Sequence, residues 1–500
     1  APDFELLLIT ITVFAITISA LHASTIACKF DPPCDANIAI FNFRTLLYSY
    51  SYSLLEATQL VYISNQNLAK VNNKLHKKEL ESENQSAIGL LKSFSNKNVK
   101  VLWAIVIGHT FKHLFNGGIH ALILPKIKID LGMNKAQFGA LNTIGSFSHS
   151  SSTILTGALV DRYRSRANVF IGLSILLMGL ATFTASFIST YQFMLLGILF
   201  MSIGPSMFHP PALGELARRF PLKRGLAVSM HGFGANIGEV LGPITIAGLL
   251  IIFVEWRDIM RISLVPAVLI SIGLWMVIDK PKLTEESTIS SASEYIKTLL
   301  ETLRNKTIII LIAAISLKSI GEGAVGTYIP LYLVEELEID EIKIGLLLSL
   351  SQTMGIISQP IMGNLSDTKG RKIVMVIGTG CVGLLSIGLA VMAHSSIASI
   401  DSSFVIIGLW AIIIGKGAFT FSLHHIYLAA ALDVSGAKTQ SSIVAIMYGS
   451  GIISTFSPYL AGLLADKYGY YSAFLFGGII LIAAAFVLLF IKITKHQMNS

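Results

Sequence analysis

From Val101 onward the chain alternates long apolar stretches with short polar loops. Twelve stretches stand out, at 101–125, 136–160, 168–190, 192–214, 225–254, 259–278, 307–334, 342–365, 373–394, 403–431, 440–464 and 471–491. An apolar run of about 20 residues spans the hydrocarbon core as a helix. In lipid, backbone polar groups must be satisfied within their own segment, so runs of this length predict helices rather than barrel strands. The longest polar interruption, Asp279 to Lys306, divides the twelve into six and six. The pattern predicts an all-α polytopic membrane protein with six-helix halves at 99–278 and 307–500, joined by a linker at 279–306. Residues 1–98 belong to neither half. Within them, 5–27 is apolar enough to insert and 38–64 is interrupted by Arg44 and Glu56, which makes 5–64 a candidate membrane hairpin. The first residues carry Asp3 and Glu5 rather than cations, unlike a secretory signal. Residues 65–98 are Lys-, Asn- and Ser-rich and read as a polar linker.

Composition agrees with the pattern. The 500 residues are 53% hydrophobic and 13% charged, against about 25% charged in soluble domains. A net charge of +8 suggests nucleic acid at first sight, but the cations sit in the loops between apolar runs, which argues against that partner. Arg162, Arg164 and Arg166 follow the second stretch, Arg218, Arg219, Lys223 and Arg224 the fourth, Lys369, Arg371 and Lys372 the eighth, and Lys492 and Lys495 the twelfth. The loop after the seventh is acidic, with Glu335, Glu336, Glu338, Asp340 and Glu341. Basic loops face the cytoplasm, so both core termini and the 279–306 linker are expected there, in a multi-pass plasma-membrane protein. Lys126, Lys128 and Lys135, after the first stretch, are exceptions to that rule. Cys28 and Cys34 flank a short turn and either pair or remain free thiols, while Cys381 lies in an apolar run as a small hydrophobe.

Two repeats support duplication of a six-helix unit. Gly157-Ala-Leu159-Val-Asp161-Arg162 returns as Gly363-Asn-Leu365-Ser-Asp367, each copy followed by clustered cations. Gly242-Pro243 with Ala247-Gly-Leu-Leu250 returns as Ser457-Pro458 with Ala461-Gly-Leu-Leu464. Internal repeats in a membrane protein point toward transporters.

The first repeat resembles the loop signature of the major facilitator superfamily, Gly-x-Leu-x-Asp-Arg-x-Gly-Arg-Arg, over roughly residues 100–492. The second copy matches at Gly363, Leu365, Asp367, Gly370, Arg371 and Lys372, with Thr368 in place of an arginine. The first matches at Gly157, Leu159, Asp161, Arg162 and Arg166, but Arg164 replaces its glycine. The resemblance implies a twelve-helix fold and a gating role, in which the aspartate anchors cations and a neighbouring helix end. A plain positive-inside anchor is the alternative. Phe208-His209-Pro210, the run Gly225 to Pro243 and Lys318-Ser319 followed by Ile329-Pro330-Leu-Tyr-Leu333 are similar to the fosmidomycin-resistance-type efflux proteins. That group often has Asn-Asp where this chain has Asn116-Gly117, so an acidic role at that spot is expected to be lost.

Ionisable groups inside a span are costly and usually face a cavity or each other. His109, His113, Asn116 and His120 share one face of the first stretch, with Lys112 beside it. Such a stripe lines a wet cavity or relays protons. A zinc site is not expected, because no carboxylate or cysteine completes it. Gly234, Gly238 and Gly242, just before Pro243, form a strip that lets another helix approach closely. Glu239 sits beside the strip, with Asn236 one turn back; it is the candidate proton carrier, since removing a carboxylate from water favours its neutral form. Lys318 and Glu322 are spaced to pair, Lys416, Thr420 and His424 share a stripe, and His209 lies at a proline bend where a structural role is expected. The cation excess suggests an anionic or zwitterionic substrate.

No Walker loop or nucleophile elbow appears, so an enzyme is not expected, nor a metal or cofactor. The expected function is proton-coupled efflux of small organic molecules by a monomer embedded in the lipid bilayer. The alternatives are proton-coupled uptake of an organic anion and a non-transporting sensor on the same fold.

Overall fold

Apolar stretches separated by Gly, Pro and Asn breakers fold as helices packed side by side. A computed structural model describes residues 97–163, 166–220, 224–253, 255–279, 304–394, 402–434 and 451–491, and every element among them is helical. The hairpin expected at 5–64, the cysteines Cys28 and Cys34, most of the 279–306 linker and the start of the eleventh stretch lie outside the described residues.

The first half comprises α1 (Lys97–Gly118), a one-turn π-helical segment (Ile119–Ile123), α2 (Leu124–Asp130), α3 (Lys135–Arg162), α4 (Ala167–Ala185), α5 (Tyr191–Met207), α6 (His209–Arg219), α7 (Arg224–Ile252), α8 (Trp256–Ile262) and α9 (Leu264–Val277). The second comprises α10 (Lys306–Glu335), α11 (Glu341–Lys369), α12 (Arg371–Met392), α13 (Ser402–Val434), α14 (Gly451–Ser454), α15 (Ser457–Tyr468) and α16 (Tyr470–Leu488). Among the described residues nine helices are long and apolar enough to cross a membrane. The first and second expected spans fall outside that set because α1 carries Lys97, Lys100 and Lys112, and α3 spells Ser146-Phe-Ser148-His149-Ser150. Among those polar residues Lys112 and Ser148 are buried.

The halves meet along two seams, α7 against α11 and α3 against α15. On the first seam Ser349 Oγ donates to the Val240 carbonyl at 2.6 Å, and Gly345 lies against the backbone of Pro243. On the second, Asp466 accepts from the backbone N–H of Lys135 and of Ala136, both at 2.8 Å, and so caps the start of α3 from the other half. Tyr328 Oη bridges the same place, donating toward the carbonyls of Lys135 at 2.9 Å and Pro458 at 2.8 Å. Lys128 reaches Glu335 at 2.5 Å, Lys126 reaches Glu341 at 2.6 Å, and Tyr470 donates to Glu335. Of the ion pairs among the described residues, those that link the halves all lie at this end of the bundle. Two of the three lysines that broke the charge rule, Lys126 and Lys128, are partners of the acidic loop after the seventh span, and the third, Lys135, places its ammonium over the Tyr470 ring.

Candidate transport cavity and its buried histidine cluster

Between the halves lies a cavity of about 370 Å³. Asn116, His120, Asn142 and Glu239 contribute polar groups from one half, and Gln352, Lys416 and Thr420 from the other. Both halves therefore build one chamber, of the size that ordinarily holds a small organic ligand.

Glu239 reaches this wall because α7 lies almost in backbone contact with α1. A Cβ at Gly234 would stand 2.8 Å from the Val106 carbonyl and one at Gly242 2.5 Å from that of Leu114, while Gly238 abuts the Thr110 carbonyl. Gly117 supplies the complementary gap on α1, where a Cβ would stand 2.9 Å from Glu239 Oε2. A carboxylate from α7 therefore stands in the space that a side chain at position 117 would take.

Behind the wall four histidines gather on α1, α6 and α7. His109 and His231 are stacked with ring centroids 3.6 Å apart, and His209 meets both edge-on. Lys112, buried, lies 2.6 Å from His209 Nε2. His209 reaches this spot because the fourth span breaks between α5 and α6, at Phe208 ahead of Pro210-Pro211. His231 escaped the sequence reading, although a signal existed: it lies three residues before Gly234, on the face of the glycine strip that meets α1.

Counting hydrogens along this cluster sets a condition on its bonding. His109 Nδ1 lies 2.7 Å from the His231 carbonyl, which only accepts, so Nδ1 carries a hydrogen. His109 Nε2 and His113 Nε2 are 3.1 Å apart and need one hydrogen between them. His113 Nδ1 and Glu239 Oε1 are 2.7 Å apart and need another. Three bonds take three hydrogens, whereas two neutral imidazoles beside a carboxylate supply two. All three bonds can form together only when the triad carries one additional proton.

His109, His209 and His231 place their ring nitrogens within 4.8 Å of one another, close enough to consider a metal. The fit is poor. Stacked rings inclined by 6° send their lone pairs out in parallel rather than toward one point, and the Lys112 ammonium already sits on His209. His120, the third member of the expected stripe, faces the cavity instead.

The remaining candidates separate. Asn116, Lys416 and Thr420 line the cavity with Glu239. Lys318 and Glu322 pair at 2.6 Å, as their spacing predicts, and stand behind the wall. Asn236 is not with Glu239: it donates to Gln359 across the α7–α11 seam at 3.4 Å. His424 is solvent-exposed and lies edge-on to His425.

The loop signature is seen most fully in its second copy. Gly370, at φ +104°, makes the turn between α11 and α12. Arg371 pairs with Asp367, donates to Ser366 Oγ at 2.6 Å and meets Asp433 at the end of α13 at 3.0 Å. Lys372 donates to the Leu489 carbonyl at 2.6 Å. These contacts tie helix ends within one half. In the first copy the backbone helix runs to Arg162 and Arg166 is exposed, while the side chains of Asp161 and Arg162 lie outside the described residues. Neither Gly157 nor Gly363 has a neighbour within reach of an added Cβ. A third copy went unnoticed, Gly462-Leu-Leu464-Ala-Asp466-Lys467-Tyr-Gly469, and its aspartate is the one that caps α3.

Comparison with known proteins agrees with this architecture. Residues 109–451 match the model of the Major Facilitator Superfamily. The riboflavin transporter RibZ of Clostridioides difficile is 22% identical over 64% of this chain and 78% of its own. The "Probable hexose phosphate transport protein" of Chlamydia trachomatis is 24% identical over 56% of this chain and 67% of its own. The fosmidomycin resistance protein of Escherichia coli is 25% identical over 31% of this chain and 38% of its own. Among solved structures the nucleoside transporter NupG superposes with a TM-score of 0.63 at 14% identity, covering 79% of this chain and 98% of that one.

Proposed function

The chain belongs to the Major Facilitator Superfamily, and on that premise we propose that it exports a small organic molecule in exchange for protons by alternating access. The observation that carries the proton coupling is the His109–His113–Glu239 triad, whose bonds require one bound proton and whose carboxylate forms part of the cavity wall. A proton carrier must reach both the cavity and a protected relay, and Glu239 touches each. Export is supported by the resemblance in the fourth and fifth spans and by the names of resistance proteins among the relatives. In this reading the basic loops face the cytoplasm of a plasma-membrane monomer, the end tied by Lys128–Glu335 faces outward, and the cavity opens inward.

The test is transport in inverted vesicles or proteoliposomes across a panel of small organic molecules, with and without an imposed proton gradient. Glu239→Gln is expected to reduce gradient-driven flux to the uncoupled background while leaving substrate exchange at equal pH. Unchanged gradient-driven flux in that variant excludes Glu239 as the carrier.

One observation favours a second reading, cotransport of a proton with an organic anion. Lys416 leaves a positive charge in the cavity, and an anion beside it is repelled least when the triad holds its proton. Proton and anion would then bind together, and proton movement in the direction of substrate, rather than against it, would identify that case.

A further inference from the structure

Lys416 is buried at 7% exposure and lines the cavity, yet among the described residues its ammonium has no hydrogen-bond or ion-pair partner. One turn on, Thr420 also lines the cavity, and its buried hydroxyl is likewise unpartnered. The nearest charges do not neutralise the lysine. Glu322 acts on it through space, but that carboxylate is engaged by Lys318 at 2.6 Å, so two lysines share one acid. A buried charge without a partner is retained at a cost, and inside a membrane such a group marks a pathway or a ligand. The backbone reinforces the placement: Gly417, beside Lys416, packs so tightly on Ser351 of α11 that an added Cβ would strike its carbonyl, which fixes how the lysine is presented.

We infer that Lys416 and Thr420 form an anion subsite, which takes the carboxylate or phosphate group of the transported molecule while the rest of that molecule fills the cavity toward Asn142 and Glu239. The ammonium supplies the charge and the hydroxyl a directed donor, a pair of groups suited to an anionic oxygen. Gln352, on the facing α11 wall, is placed to hold the uncharged remainder. This inference rests on the cavity being the substrate site.

Thermal unfolding of the purified full chain in detergent, titrated with matched acidic and neutral probes, tests it: benzoate against benzamide, nicotinate against nicotinamide, glucose 6-phosphate against glucose. The acidic member of at least one pair is expected to stabilise the protein and its neutral counterpart to do so far less. Lys416→Met should weaken the acidic probe by about a hundredfold and Thr420→Val by about tenfold, the span expected for hydrogen bonds that involve a charge. Lys416→Arg should keep the acidic preference, which separates loss of charge from loss of fold. If acidic and neutral probes act alike on the wild type, or if Lys416→Met retains the preference, the subsite is refuted. Gln352→Leu tests the premise separately, since it should weaken both members of a pair. Loss in that variant with none in Lys416→Met overturns the subsite alone, and loss in neither overturns the cavity as the binding place.

Discussion

Gly117 shows how one missing side chain sets the chemistry of the cavity. Because it offers no Cβ, the Glu239 carboxylate crosses from α7 into its space, and the titratable group sits on a different helix from the one the family pattern suggests. A carboxylate replaced on α1 would occupy nearly the same place. Gly117→Asp introduced together with Glu239→Gln is therefore expected to return part of the proton-driven flux that Glu239→Gln alone abolishes. Gly117→Asp by itself should impair transport, since it sets two carboxylates against each other. Flux measured in the single and double variants decides this, and a double variant no better than Glu239→Gln would show that position 117 has no access to the relay.

Helix ends are held together by small ionic clusters. The start of α1, the end of α6 and the second residue after α9 meet where Asp279 accepts from Lys97 at 2.9 Å and from Arg219, which also bonds Glu215 at 2.5 Å. Burial works against a charge on Asp279, but the bonds from Lys97 and Arg219 prevail and hold its carboxyl down at about 2, below the ordinary 3.8. A carboxylate whose pKa falls on folding stabilises the native state above its unfolded value, and that contribution is lost as pH falls through the folded value. Wild type should therefore lose stability between about pH 4 and pH 2 more steeply than Asp279→Asn, and the two should converge at the acid end. Unfolding midpoints across that range provide the comparison. Parallel curves would show that the clamp contributes nothing to folding.

Across the whole molecule, the cross-half ion pairs tie the halves together at one end, and the proposed alternating access requires them to break. Lys128→Glu should destabilise that end by setting two acids face to face, and Glu335→Lys added to it should restore the attraction, apart from the Tyr470 bond to Glu335. A cysteine placed at Gln352 in the cavity reports the change: labelling from the tied side should rise in Lys128→Glu and fall back in the charge-swapped pair. Equal labelling in all three proteins would show that the end stays tied without this pair, through Lys126–Glu341, Asp466 and Tyr328.

Much of this was legible in the chain itself. Helix positions followed from apolar length, because lipid leaves a backbone no other way to satisfy its hydrogen bonds. The glycine strip, the Lys318–Glu322 pair and the Arg371 turn were readable because each depends on neighbours one helical turn away or less. Contacts between distant segments were not readable in the same way. Nothing local says that His209 and His231 join His109, that Glu239 fills the gap at Gly117, or that Lys128 belongs with Glu335. Those juxtapositions depend on how helices cross, and crossing is decided by the fit of whole helix faces. The sequence by itself determined the spans, the two halves and the list of costly polar groups. Only the tertiary structure decided which of those groups bond one another, which pair as ions, and which, like Lys416, line the cavity without a partner among the described residues.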